Sequence, residues 1–198
     1  MKAVLISIRP KWCEKIANGE KTIEVRKTRP KLEMPFKCYI YCTKAKERLV
    51  GILKDGDENY GEIYHGKPVF IKTEKGSVCD MWGKRQKVIG EFVCDRIDRL
   101  VRIGYDGSRD PSEYCICNSA MSVCPVDGVR EDACLTQQEL EKYLGGCEGY
   151  GWHISDLKIY DTPRELGEFT GLRDTKFGAA PYEIKRAPQS WCYVEEQK

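Results

Sequence analysis

Residues 19–26 of the chain have the sequence GEKTIEVR, and this stretch constrains the fold more than any other. Its two β-branched apolar residues alternate with Glu24 and Arg26, which is the period of a β-strand with one apolar and one polar face. Lys21 stands at the entry to that strand, just after a glycine that can end a preceding helix. The pattern predicts a strand on which a cation, a carboxylate and a guanidinium lie close together.

This polar group has two interpretations. A carboxylate that accepts from an amino group, beside cations that contact carbonyls or phosphates, can bind a polar ring, and the same groups can perform acid–base chemistry. The alternative is a strand that carries a surface ion-pair network and no ligand. We expect Lys21, Glu24 and Arg26 to line a cleft that opens to solvent and does not pack under later segments.

Outward from the motif, the chain contains many short segments typical of strands and few typical of helices. KAVLISI at residues 2–8 is rich in apolar and β-branched residues, and TQQE at residues 136–139 is a capping box that predicts the start of a short helix. Such a sequence predicts the α+β class, mostly β, built as a small antiparallel β-barrel. We expect one domain over residues 1–198, with insertions at about residues 45–87 and 104–150.

The composition is that of a folded protein with a hydrated surface. The 198 residues are 41% hydrophobic and 32% charged, which excludes disordered, collagen-like and coiled-coil proteins. No apolar run approaches the roughly 20 residues that a membrane helix needs. With no recognisable secretion signal, the sequence predicts a cytoplasmic protein without a membrane partner, in which the 11 cysteines are reduced thiols.

Charge is distributed unevenly along the chain. Residues 1–54 contain 14 basic and 5 acidic residues, whereas the remainder contains 19 basic and 26 acidic residues. A basic N-terminal third can form a positive face that attracts phosphates, even though the formal net charge is only +2. A solvated surface without a partner is the alternative.

Four cysteines lie in a segment that has no clear secondary-structure period. Four thiolates can hold a tetrahedral zinc ion. The spacing lacks the C-x2-C pair typical of such sites, so we expect neither a metal nor a cofactor and keep these residues as candidate ligands only. They are Cys115, Cys117, Cys124 and Cys134.

Six further polar residues complete the set of candidate contacts with RNA or a small ligand. His153 alternates with the apolar residues beside it and can therefore join the polar cleft, although a surface histidine is the alternative. Gln189 and Ser190 form a polar pair just before the last strand. The six are Ser7, Arg9, His153, Ser155, Gln189 and Ser190.

The spacing Gly19-x-Lys21-x-x-Glu24-x-Arg26 resembles the defining motif of the ASCH domains, which belong to the PUA-like superfamily of small RNA-associated β-barrels. The segments SIRPKW, YIYCTK, VIGEFVCD, WHISDLKIYD and PQSWCYVEE resemble bacterial and phage members of that family and occur in the same order. The resemblance implies a cleft that binds RNA, a nucleotide or a modified nucleoside. It leaves the oligomeric state open.

The resemblance also implies two enzymatic alternatives. One branch of the family removes the acetyl group from N(4)-acetylcytidine, with a lysine at the position of Lys21 and a threonine nucleophile where this sequence has Glu24; a carboxylate changes that chemistry. Other members are regarded as possible ribonucleases, in which Lys21, Glu24 and Arg26 would be base, acid and phosphate clamp. We expect a binding protein. The alternatives are a hydrolase that acts on RNA or a modified nucleoside, and a regulatory protein-interaction module.

Overall fold

Strand β1, formed by Lys2–Ile8, lies inside a seven-stranded sheet of the computed structural model. All of its residues after Lys2 are buried, as expected for a strand that is apolar on both faces. It pairs in parallel with β3 (Phe36–Cys42) and antiparallel with β14 (Trp191–Glu195). The N-terminal strand is therefore central to the sheet.

The structure describes residues 1–44, 49–53, 69–72, 86–102, 114–117, 123–125 and 127–197. The chain divides into two units. The first unit consists of Met1–Gly19, Phe36–Val93 and Asp156–Lys198, and the second consists of Glu20–Pro35 and Cys94–Ser155. The expected insertion at residues 45–87 lies mostly outside the described residues, and the single-domain organisation stays an expectation.

The first unit combines helix α1 (Pro10–Ala17) with the seven-stranded sheet and a two-stranded sheet. Pro10 begins the helix, where a missing N–H costs nothing, and Gly19 follows its end with φ at +76°. The larger sheet has the order β11-β6-β3-β1-β14-β12-β13, and β4 pairs with β5. The remaining strands are β4 (Leu49–Leu53), β5 (Val69–Lys72), β6 (Lys87–Cys94), β11 (Ser155–Glu165), β12 (Thr170–Thr175) and β13 (Gly178–Glu183).

The second unit is a five-stranded sheet with the order β2-β10-β7-β8-β9 and two short helices. One apolar cluster joins the sheet to the helices, and it includes Ile23 and Val25 from the motif together with Ala133 and Leu140. The elements are β2 (Ile23–Arg26), β7 (Ile97–Val101), β8 (Cys115–Cys117), β9 (Val123–Pro125), α2 (Asp127–Asp132), α3 (Gln137–Leu144) and β10 (Gly149–His153).

Local sequence explains where α3 begins and ends. The Thr136 hydroxyl accepts a hydrogen bond from the backbone N–H of Glu139, and the Glu139 carboxylate accepts from the backbone N–H of Thr136. Gly145 closes the helix in the left-handed conformation, with φ at +64°. The predicted capping box is confirmed.

The predicted fold class, α+β and mostly β, is confirmed. The barrel is only approximate, because the strands of the described residues form three sheets, and the largest ends at β11 and β13 instead of closing. The β1–β3 pair is parallel, since the chain passes through α1 and residues 20–35 before it returns. Among the helices that the structure describes, none is long and apolar enough to span a membrane.

Candidate functional site

The charged residues of the GEKTIEVR motif are buried in the second unit. Lys21, Glu24 and Arg26 are only 3%, 6% and 6% exposed. The Glu24 carboxylate lies 3.3 Å from Lys21 Nζ and 3.0 Å from Arg26 Nη2. The expected contact of a cation, a carboxylate and a guanidinium is present, and these three residues are called the β2 triad below.

Lys21 also contacts two backbone carbonyls. Its Nζ donates to the oxygen of Ile23 at 2.7 Å and to the oxygen of Ala133 at 2.8 Å. Together with Glu24, these carbonyls supply an acceptor for each of the three N–H groups of the ammonium. Ala133 belongs to the predicted insertion at residues 104–150, so the expectation of an open cleft clear of that segment is corrected. Ala133 packs with Ile23 in one apolar cluster, which brings its carbonyl to Lys21.

The β2 triad contains two positive charges and one negative charge. Taking an ion out of water costs several kcal/mol unless it finds well-placed partners. Because all three side chains are nearly buried, the triad is not a surface ion-pair network of the kind that the sequence left open. Its excess positive charge favours an anionic or carbonyl-bearing group nearby.

The pairing of β2 with β10 separates His153 from the triad. In this antiparallel pair Trp152 lies opposite Glu24, and His153 lies opposite Ile23. Residues that lie opposite each other project to the same face of a sheet. His153 is therefore on the apolar face, with Ile23, and the expectation that it joins the polar face of β2 is corrected.

His153 instead meets Arg96, in the turn before β7, and Asp98, in β7. Its Nε2 lies 2.7 Å from Asp98 Oδ2 and 2.9 Å from Arg96 Nη2, and Arg96 Nε lies 3.4 Å from Asp98 Oδ1. Burial alone would raise the pKa of Asp98, but the hydrogen bond and charge of His153 and the charge of Arg96 hold it below its usual range. Asp98 thus stays ionised and fixes the imidazole in place.

A cleft of about 310 Å³ opens beside this histidine. The Ser155 hydroxyl, another of the candidate contacts, donates to Asp95 Oδ2 at the cleft. Backbone hydrogen bonds hold the walls, because Ile154 N–H donates to Thr22 and His153 N–H donates to Arg96. The lining residues are Thr22, Asp95, Arg96, His153, Ile154 and Ser155, and this space is called the Asp95–Arg96 cleft below.

Four of the candidate contacts lie in the first unit. The Ser7 hydroxyl donates to the Pro188 carbonyl at 2.7 Å, and the Ser7 N–H donates to the Ser190 carbonyl at 2.9 Å. Gln189 is exposed next to them, and Arg9 is exposed at the N-terminal cap of α1. Ser7 and Ser190 are thus brought together by the β1–β14 junction, and a role in ligand binding stays a prediction.

Of the four cysteine candidates, only Cys134 has a described side chain. Cys134 donates its thiol hydrogen to the Glu20 carbonyl at 3.4 Å. The side chains of Cys115, Cys117 and Cys124 lie outside the described residues, although their backbone belongs to β8 and β9. In the described part of the chain, no group of three or more histidine, cysteine, aspartate or glutamate residues has the geometry of a metal site.

Two exposed cations directly after the motif were not among the predicted site residues. Lys27 Nζ lies 5.7 Å from the centre of the Tyr143 ring, and the Arg29 guanidinium lies 5.7 Å from the centre of the Tyr150 ring. Within the described residues neither cation has a carboxylate within ion-pair distance. The four cations of RKTRPK, residues 26–31, are the sequence signal that could have indicated this site. Lys27, Arg29 and the two tyrosine rings beside them are called the Lys27–Arg29 surface below.

The cleft residues Asp95 and Arg96, and Asp98 that pairs with Arg96, were also not predicted. They occur in CDRID, where a turn joins β6 to β7. A charged turn between two strands has no special pattern, because most such turns are simply solvated. The contact with His153, more than 50 residues away, distinguishes this one.

No protein-family model and no curated protein matches the chain. Among solved structures, the chain is similar to ASCH from Zymomonas mobilis, with 15% identity and a TM-score of 0.46 over 98% of this chain and 88% of that one. Two variants of that protein give similar values. A tyrosine-to-phenylalanine variant has 15% identity and a TM-score of 0.46 over 99% of this chain and 92% of that one. A serine-to-alanine variant has 15% identity and a TM-score of 0.47 over 98% of this chain and 89% of that one. These structures carry the name of the family that the GEKTIEVR motif resembles, and at this identity the similarity assigns no residue a role.

Proposed function

We propose that this chain binds RNA or a modified nucleotide through its second unit. The observation that carries the proposal is the Lys27–Arg29 surface, where two cations without a carboxylate partner among the described residues each lie over a tyrosine ring. Tyr143 is 40% exposed, so a ring beside a cation is accessible from solvent. Cations that contact phosphates, together with rings on which bases stack, are the two elements of sequence-tolerant binding to single strands.

The β2 triad supports this surface in two ways. Its buried contacts hold Arg26 at the end of β2, immediately before Lys27, so the chain leaves the strand in a defined direction. Its excess positive charge adds to the local potential that attracts phosphates. The motif thus has a positioning and electrostatic role in this proposal.

The hydrolase alternative has less support. A lysine that acts as a general base needs a free lone pair and an approach for the substrate proton. Lys21 Nζ is surrounded by Glu24 and the carbonyls of Ile23 and Ala133 and is almost inaccessible to solvent. The geometry therefore favours binding over catalysis at this position.

Binding of a fluorescein-labelled single-stranded RNA of mixed sequence, followed by anisotropy, tests the proposal. The double variant Lys27→Gln with Arg29→Gln should bind about tenfold more weakly than the unchanged chain at moderate salt, because two phosphate contacts are lost. Lys158→Gln with Lys176→Gln is the matched control, since both lysines are exposed in the first unit and Lys176 also lies over a ring, that of Phe177. Absence of binding by the unchanged chain, or an equal loss in the control, contradicts the proposal.

A further inference from the structure

We propose that the Asp95–Arg96 cleft holds one unpaired base and selects guanine. This inference rests on the proposed function, because it names the part of the nucleotide that the second unit recognises. The cleft volume of about 310 Å³ is at the lower end of the range for small-molecule sites, so it accommodates a nucleoside and not an oligonucleotide. None of the residues that line it belongs to the β2 triad, so the cleft is distinct from the triad.

The charge of the cleft indicates that a base enters it and not a phosphate. Asp95 lines the cleft, and Asp98, which is not a lining residue, pairs with the lining residues Arg96 and His153, so two carboxylates accompany the one guanidinium of Arg96. Over the whole second unit, the sequence contains 14 acidic and 11 basic residues. A phosphate would meet net repulsion there, whereas a neutral base with N–H donors would not.

The hydrogen-bonding groups of the cleft complement one base edge. Arg96 uses Nε and Nη2 toward His153 and Asp98, while within the described residues its Nη1 has no partner and can donate to a carbonyl. Asp95 accepts from Ser155 through one oxygen, and its two oxygens retain further lone pairs. Arg96 and Asp95 thus offer one donor group and a pair of acceptors at the cleft.

Guanine alone among the four bases has the complementary order on its pairing edge. Its O6 accepts, and its N1–H and N2–H donate side by side, so O6 matches Arg96 and the two N–H groups match the Asp95 carboxylate. Read in either direction, uracil places a single donor between two acceptors, cytosine has one donor and two acceptors, and adenine has one donor and one acceptor. None of the three can offer two neighbouring N–H groups to one carboxylate. The imidazole of His153, held by Asp98, and the side chain of Ile154 provide surfaces for the base plane.

Titration of the whole chain with GMP, AMP, CMP and UMP, followed by calorimetry, tests this inference. The phosphate is the same in all four ligands, so any preference reports the base. GMP should bind at least about tenfold more tightly than the other three, since one good two-point contact gives that discrimination. GMP should also shift the imidazole resonances of His153 in NMR spectra.

Two variants locate the preference. Asp95→Asn should remove it, because an amide donor then faces the N–H groups of guanine, and Arg96→Gln should weaken GMP binding to the level of AMP. The double variant Arg99→Gln with Glu148→Gln is the control. These two residues form an exposed ion pair between β7 and the residue directly before β10, and neither of them lines the cleft. It should leave GMP binding unchanged.

The two proposals fail in different ways. Equal affinities for the four nucleotides, or a GMP preference that survives Asp95→Asn, overturns the guanine assignment even if RNA binding still depends on Lys27 and Arg29. Selective GMP binding without any RNA binding supports the assignment and contradicts the proposed RNA surface. GMP binding that falls equally in the Arg99 and Glu148 control also overturns the cleft as the site.

Discussion

Glu24 balances the charge of the β2 triad. Its carboxylate is the partner of two cations, Lys21 and Arg26, and its side chain is 8% exposed. Water cannot replace it at that depth. A buried ion pair adds little net stability over apolar residues, but the removal of one partner leaves the other charge uncompensated.

We predict that Glu24→Gln destabilises the chain by about 3 kcal/mol, because the substitution keeps the shape but removes the buried negative charge that contacts both cations. The measurement is urea unfolding followed by fluorescence. Glu20→Gln is the control, since Glu20 is exposed just before the strand and should change the free energy of unfolding by less than about 0.5 kcal/mol. Equal effects of the two substitutions would show that the triad is hydrated.

Asp98 gives a pH-dependent prediction. The pKa of Asp98 is lowered in the folded chain, so its ionised form stabilises the fold. This contribution to the free energy of unfolding is fully present above the ordinary carboxyl pKa of about 4, and it is lost as the pH falls through the lower pKa of the folded state. We expect Asp98→Asn to cost about 1–2 kcal/mol at pH 6 and progressively less below pH 4, because the charged hydrogen bond to His153 is absent. Unfolding free energies measured from pH 3 to 7 test this.

Asp156→Asn serves as the comparison for Asp98→Asn. Asp156 is exposed and has φ at +47°, a conformation that asparagine also tolerates. Its curve of stability against pH should follow that of the unchanged chain. A curve for Asp98→Asn that runs parallel to the unchanged chain over the whole range contradicts the role of Asp98.

At the scale of elements, the close approach of β6 and β11 depends on Gly90. A Cβ atom at this position would lie 2.5 Å from the Lys158 carbonyl oxygen and 3.2 Å from Ile159 Cα. Both are backbone atoms, so they cannot move without displacing β11. Gly90 therefore permits a strand spacing that no larger residue allows.

We predict that Gly90→Ala destabilises the chain by about 1–3 kcal/mol through overpacking against β11. Gly128→Ala in α2 is the matched substitution, because a Cβ there meets nothing within 4 Å and the helical propensity of alanine should add up to about 1 kcal/mol. Thermal unfolding of both variants checks the opposite signs. A neutral Gly90→Ala would mean that β6 and β11 are more widely spaced.

Local patterns predicted several elements well. The alternation in IEVR predicted a strand that carries Glu24 and Arg26 together, and TQQE predicted the start of α3. Such patterns could not predict the face of the sheet on which His153 lies, because that face depends on how β2 pairs with a strand about 130 residues later. The burial of Lys21 has the same cause, since its partner Ala133 is distant in sequence.

At the scale of the whole molecule, the uneven charge of the sequence is divided between the units. The first unit contains 22 basic and 17 acidic residues, and the second contains 11 basic and 14 acidic residues. The basic N-terminal third therefore does not make the second unit positive as a whole. RNA binding there has to depend on a few local cations, which limits the number of phosphates that it can contact.

We predict a shallow salt dependence for RNA binding. Lys27, Arg29 and Lys31 are the exposed cations after the motif, and three phosphate contacts to a single strand give a slope of about −2 in a plot of log affinity against log salt concentration. Anisotropy titrations at several salt concentrations measure this slope, and Lys27→Gln with Arg29→Gln should reduce its magnitude by about 1.4. The control Lys158→Gln with Lys176→Gln should leave it unchanged, because those lysines belong to the first unit. A slope steeper than about −4 would require more phosphate contacts than the Lys27–Arg29 surface can make, and binding would then involve the net positive first unit.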